Sequence, residues 1–193
     1  MLENLKQYNI ILASNSPRRK ELLAGLGIDF DIRVLPGIKE QYPEELSVEK
    51  ISAFLAAQKA EANKQSMNDK DLLITADTVV VCDGKALGKP QNETAAAAML
   101  QTLSGKTHQV ITGVCLTSRE KQTVFSVSTD VTFRRLTNEE INYYISKFKP
   151  YDKAGAYGIQ EWIGYIGVES IYGSFFNVMG LPVQRLYCEL QRF

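Results

Sequence analysis

Residues 72–90 read LLITADTVVVCDGKALGKP. From Leu72 to Cys82 the run is apolar except at Thr75, Asp77 and Thr78. So continuous a run predicts a strand buried on both faces, the situation of a sheet covered by helices rather than one with a wet side. Asp83-Gly84 supplies a tight turn back into a short returning strand. Upstream, YNIILAS (8–14) reads as a second buried strand. Ser16 and Pro17 then give an N-cap and a first-turn proline to a helix over about 17–25, which Gly25 and Gly27 can end. Alternating Phe30, Ile32 and Val34 mark another strand, closed by Pro36-Gly37. Ser47 caps a long helix reaching about Gln65, with Ile51, Phe54, Leu55 and Ala62 at helical spacing. Downstream, a helix runs from Asn92 through the alanine block to Leu103 and stops at Gly105. Two longer strands, about 107–118 and 122–134, pair around REKQ. Thr137 and Glu140 form a capping box for a helix over about 138–147. Short glycine-punctuated pieces follow, then a terminal helix after Pro182. Strands interleaved with helices, together with antiparallel pairs, predict an α/β fold: a mixed sheet wrapped by helices.

The chain has 193 residues, enough for one domain or two intimately packed lobes with a proper core. Lys plus Arg and Asp plus Glu balance at 22 each, so no overall field draws nucleic acid or an anionic membrane, and neither is an expected partner. No apolar stretch approaches the ~20 residues that span a bilayer, and MLENLKQYN lacks the features of a signal peptide, which predicts a cytoplasmic protein. Cys82, Cys115 and Cys188 are odd in number and lie in apolar surroundings, as reduced core thiols do. His108 is the one histidine and sits in a polar connection, SGKTHQV. A histidine triad needs a well-placed imidazole and a two-histidine metal site needs several, so any metal working here must be a hard cation on oxygen ligands, such as magnesium or manganese.

The chemistry-bearing side chains form a short inventory. LASNSPRRKELL (12–23) places Arg18 and Arg19 at a helix start, where the macrodipole disfavours cations unless an anion joins them. Unpaired N–H groups and two bidentate guanidinium groups suit a phosphate there; arginines on a capped helix that simply face water are the plainer alternative. Asp77 interrupts a buried run, so it requires a cation, donors or a metal nearby, whether in a structural ion pair or in a functional site. Lys59 lies on the long helix and either snorkels to solvent or reaches inward. Lys89 stands on a loop stiffened between Gly88 and Pro90, and Glu40 follows the Pro36-Gly37 turn as an ordinary surface carboxylate would. Two arginines, two lysines, an aspartate, a glutamate and a near absence of histidine suit a phosphate-rich ligand with a hard divalent metal.

In this order the chain carries LASNSPRRKELL, AAQKAEA, TADTVV, LGKPQNETAAAAMLQTLSGKTHQVITGV, YDKAGAYGIQ and GSFFNVMGLPV. The combination resembles the Maf-type nucleoside triphosphate pyrophosphatases, whose fold is similar to that of the inosine triphosphate pyrophosphatases, and covers nearly the whole chain. The resemblance implies a single Maf-like domain over 1–193, with a mixed twisted sheet flanked by helices and two closely packed lobes with a cleft between them. The implied activity is hydrolysis of a nucleoside triphosphate between its α and β phosphates, giving the monophosphate and pyrophosphate. Its carried-over roles are substrate binding for Ser14, Arg18, Arg19, Lys59 and Lys89, catalysis by Asp77 as general base, and a divalent metal on Glu40 and Asp77. ADT followed by YGIQ is similar to the branch acting on dTTP and UTP, extended to modified pyrimidine nucleotides as a house-cleaning activity. This makes Arg18, Thr78 and Gln160 specificity residues. A glutamine amide, with both donor and acceptor, complements the N3–H and O4 edge of uracil or thymine. Two other readings accompany this one: the same chemistry on 7-methyl-GTP, and a nucleotide-binding regulator of septum formation with little turnover. The resemblance also implies a homodimer. Two departures from the family's usual pattern stand at Lys39, before Glu40, and at Glu161, after Gln160.

Overall fold

The computed structural model of the protein describes residues 2–193. In chain order, β1 (Asn9–Leu12), α1 (Pro17–Ala24), β2 (Asp31–Ile32) and α2 (Val48–Asn63) precede β3 (Asp71–Cys82) and β4 (Lys85–Leu87). Then come α3 (Glu93–Leu103), β5 (Thr107–Thr117), β6 (Gln122–Phe133) and α4 (Asn138–Phe148). The chain ends in α5 (Trp162–Gly167), β7 (Val168–Tyr172), α6 (Phe175–Met179) and α7 (Val183–Gln191). The seven strands form one sheet in the order β2-β1-β3-β5-β6-β7, with β4 added to β3. β1 is parallel to β2 and β3, whereas β4 on β3 and β7 on β6 are antiparallel, so the sheet is mixed as the sequence pattern predicts. β3 is buried almost along its whole length, in keeping with its unbroken apolar run. β6 instead alternates between buried and solvent-facing positions.

The chain divides into two compact units. The first holds the residues up to Asp77 together with Thr112–Val127 and Gly180–Phe193. In it α2 buries Ile51, Leu55, Ala56 and Ala60, and Ala56 and Ala60 cluster with Ile11, Met67, Leu73 and Cys115. Phe54 and Ala62, expected on the core side, are exposed instead. The reason is that α2 meets the strands through its small residues. Gly113 of β5 lies so close to α2 that a Cβ there would strike the backbone of Ser52 and Ala53, and the Thr75 hydroxyl donates to Ala56 O at 2.7 Å.

The second unit comprises Thr78–Ile111 and Ser128–Met179. Its core gathers Val80, Leu100, Leu103, Phe133, Tyr144 and Ile163. The capping box of α4 forms as its sequence predicts, with Thr137 accepting from the Glu140 N–H and Glu140 accepting from the Thr137 N–H. His108 is not in a polar connection: it lies on β5, 2% exposed, edge-on to Phe133 and Tyr157. The polar neighbours in SGKTHQV mislead because alternate residues of a strand face opposite sides, and His108 takes the inward side. The pieces α5, β7 and α6 in the glycine-rich last third are shorter than any periodicity can announce.

Candidate active site

The first unit brings together most of the charged residues singled out above. β1 and β3 run parallel with Leu12 beside Ile74, and the Ala13 N–H continues the ladder to Ile74 O at 2.9 Å. The chain therefore leaves β1 at its carboxyl end, the end at which open α/β sheets bind ligands, beside the segment that carries Asp77. Ser14 is buried, and its Oγ accepts the Ser16 N–H at 3.2 Å. Ser16 caps α1 by accepting the Arg19 N–H at 3.4 Å, with Pro17 at the first position. This local chemistry turns the start of α1 toward β3.

Arg19 is held firmly. Its Nε donates to Gly180 O and an Nη donates to Ala76 O, each at 2.8 Å. The guanidinium thus ties the start of α1 to the residue before Asp77 and to the segment entering α7. Burial pushes its pKa down, Asp77 opposes that shift, Arg18 adds to it, and Glu40 opposes it. Lys59, one turn before the end of α2, reaches inward rather than snorkelling: its Nζ lies 2.6 Å from Asp77 Oδ1 and 2.8 Å from Glu40 Oε1. The Asp77 carboxylate is almost fully buried, whereas Glu40 is partly open to solvent. The Asp77 side chain is therefore part of an ion pair, but of one shared by two carboxylates around a single ammonium. A fold that needed only to neutralise Asp77 would be complete with one carboxylate.

The remaining predicted residues belong to the second unit. Thr78 follows Asp77 on β3, half-buried, and Lys89 is exposed on the loop after β4, whose Gly88 carbonyl accepts the Gly155 N–H at 3.0 Å. Gln160 lies in the turn before α5, and its Oε1 is buried with no hydrogen-bond partner among the described residues. Around it the structure shows residues the sequence did not single out. Lys153, 8% exposed, pairs with Asp152 at 2.7 Å and with Glu161 at 3.1 Å. The Tyr144 hydroxyl donates to Glu161 and accepts the Gly158 N–H. A lysine inside KAGAYG, where the neighbours are small and apolar, was the available signal for Lys153; nothing in the α4 sequence marks Tyr144 as other than core.

No helix among the described residues is long and apolar enough to cross a membrane. Among known proteins, the dTTP/UTP pyrophosphatase of Phocaeicola vulgatus is 62% identical over 192 residues, covering 100% of both chains. The dTTP/UTP pyrophosphatase of Parabacteroides distasonis is 60% identical over 193 residues with the same coverage. The protein of that name from Flavobacterium johnsoniae is 48% identical over 96% of this chain and 95% of its own. The family profile described as Maf-like protein matches residues 9–193. From β1 to the last helix, the chain belongs to the Maf-like protein family.

Proposed function

We propose that this protein is a dTTP/UTP pyrophosphatase that hydrolyses its substrate between the α and β phosphates, releasing the nucleoside monophosphate and pyrophosphate. The observation that carries this reading is the Lys59 ammonium held between Asp77 and Glu40 in the unit that also fixes Arg19. The names of the full-length relatives supply the substrate class. Lys59 takes Asp77 Oδ1 and orients the carboxylate, so that Oδ2 is the oxygen positioned to accept a proton from the attacking water. Arg18, Arg19, Ser14 and Lys89 bind the triphosphate and stabilise the charge that develops on the leaving pyrophosphate. Thr78, Arg18 and Gln160 select the base, Gln160 through an acceptor suited to the pyrimidine N3–H.

The donor set suits a hard divalent cation. Asp77 and Glu40 bring two carboxylates to the same Lys59 ammonium, each with a second oxygen besides the one that pairs with it. Magnesium or manganese takes one or two carboxylates and completes its shell with substrate phosphates and water. Asp77 and Glu40 would hold it, and when bound it supplies charge neutralisation at the phosphates.

The test is a panel of nucleoside triphosphates incubated with purified protein and magnesium or manganese, with pyrophosphate and monophosphate both quantified. dTTP and UTP should yield the two in equal amounts, and a chelator should stop the reaction. Release of orthophosphate alone, or preferential turnover of 7-methyl-GTP, overturns the assignment.

A further inference from the structure

We propose that Glu161 is a positioning residue for base selection: together with the Tyr144 hydroxyl it clamps the 158–161 turn and holds the Gln160 carboxamide oriented before substrate arrives. The inference rests on the reading of Gln160 as the base-selecting residue.

The turn is fixed from both ends by one hydroxyl. Two residues before Gln160, the Gly158 N–H donates to Tyr144 Oη at 3.0 Å. One residue after it, the Glu161 carboxylate accepts the hydrogen of that same hydroxyl. Tyr144 cannot shift to follow a moving turn, because its ring is fully buried in the core beneath α4 and stacks on Phe148. The other Glu161 oxygen lies 3.1 Å from Lys153 Nζ, itself anchored by Asp152 at 2.7 Å. The main chain closes the same turn, with the Glu161 N–H donating to Gly158 O at 3.0 Å and Glu161 O accepting the Gly164 N–H at 2.8 Å as α5 begins. Packing admits little else: a Cβ on Gly158 would lie 2.8 Å from Glu161 Cδ, and Ile159 is buried.

The consequence falls on Gln160. Its neighbours on both sides are immobilised, and its Oε1 is buried without a partner among the described residues. A buried unpaired acceptor is costly, and it is relieved by a ligand that brings an N–H. Uracil and thymine bring N3–H to such an oxygen, whereas cytosine has an acceptor at N3 and its donor on the neighbouring N4 amino group, so an acceptor held opposite N3 and unable to shift to N4 discriminates by hydrogen bonding rather than by size. A turn free to relax would let Oε1 find water or a main-chain donor in the empty site, and the discrimination would fall. Glu161, where the resemblance pattern usually has a small residue, is in this view how this chain holds its Gln160 in place.

The experiment compares kcat/KM for UTP and CTP in the wild type, Glu161→Ala, Glu161→Gln, Tyr144→Phe, Gln160→Ala and the double variant Glu161→Ala/Gln160→Ala. Tyr144→Phe keeps the buried ring and removes only the hydroxyl, so it guards against a variant that fails to fold. The UTP:CTP ratio should fall about 3- to 10-fold in Glu161→Ala and Tyr144→Phe, the effect of one loosened hydrogen bond, through KM for UTP rather than kcat. Glu161→Gln, which can still accept from Tyr144, should retain most of the ratio. In the double variant the ratio should equal that of Gln160→Ala alone, because Glu161 acts only through Gln160. If Gln160→Ala moves the ratio and Glu161→Ala does not, the clamp is overturned while base selection by Gln160 stands. If Gln160→Ala leaves the ratio unmoved, the base-selecting role itself fails and takes the clamp with it. An equal loss for both nucleotides in Glu161→Ala, accompanied by a lower Tm, makes Glu161 a structural residue and also overturns the proposal.

Discussion

Asp77 on β3 and Arg19 on α1, whose guanidinium donates to the carbonyl of Ala76, the residue before Asp77, are held in different ways. Asp77 presents Oδ1 to Lys59 at 2.6 Å, and an amide oxygen at the same place can still accept from that ammonium. Asp77→Asn should therefore leave Tm within a few degrees while lowering kcat about 10²- to 10⁴-fold, the usual cost of losing a general base. Pyrophosphate release at saturating dTTP, set beside a thermal melt, checks both halves. Arg19 differs, since its two donors satisfy Gly180 O and Ala76 O. Arg19→Ala should lose stability, by about 2–4 kcal/mol in a urea titration, as well as kcat/KM, because buried carbonyls are left without their charged donor. Arg19→Lys should recover little of either, since a single ammonium cannot reproduce the planar fork that reaches two carbonyls at once. A fully stable Arg19→Ala protein would show that the carbonyl tethers are incidental.

At the level of elements, α2 matters as the arm that carries Lys59. Its seat against β5 depends on Gly113, where any side chain meets the backbone of Ser52 and Ala53. Backbone cannot rotate away as a flexible side chain can. Gly113→Ala should force α2 off the strand and cost about 2–4 kcal/mol, in the range of overpacked cores. It should also lower kcat by up to about 10²-fold through displacement of Lys59, although Gly113 belongs to no proposed chemistry. Denaturant titration and steady-state kinetics on the same preparation test the two effects together. Normal stability and turnover would mean that the close approach of α2 to β5 relaxes at no cost. The helix is legible in sequence from its cap and its alanines, but which face turns inward is not. The apolar Phe54 is exposed while Ala56 and Ala60 are buried, because closeness to the strand is what small residues permit.

For the molecule as a whole, the buried histidine sets a pH dependence. Burial pushes the pKa of His108 down to about 4 from its ordinary 6.5. Its Nε2 pairs with Tyr157 Oη at 2.8 Å, and its Nδ1 is buried with no partner among the described residues. Protonation would make that second nitrogen a donor with nothing to receive it. Because the folded value lies below the unfolded one, the unfolded chain binds more protons between the two, so stability is fully present above about pH 6.5 and declines as pH falls toward 4. Between pH 7 and 4.5 the loss attributable to this one group should be about 2–3 kcal/mol. Urea titrations of the wild type and His108→Gln across that range should show a shallower decline in the variant; parallel curves would remove His108 from the acid response.

The sequence by itself determined the elements whose signals are local: the capped start of α1, the capping box of α4, the doubly buried β3 and the tight turn into β4. It also determined the inventory of side chains, two arginines, two lysines and two carboxylates with a solitary histidine, which suits a phosphate-rich ligand. Caps, turns and periodicity are properties of a few adjacent residues, so they survive without knowledge of the rest of the chain. Only the tertiary structure decided the strand order, the inward face of α2, the burial of His108, the short pieces α5, β7 and α6, and the contacts of Tyr144 with Gly158 and Glu161. Each of these depends on partners distant in sequence. Lys59 meets Asp77 across 18 residues, Arg19 meets Gly180 across 161, and Tyr144 meets Glu161 across 17. Whether a lysine snorkels or bridges two carboxylates is settled by what stands opposite it, and no pattern within its own helix carries that information.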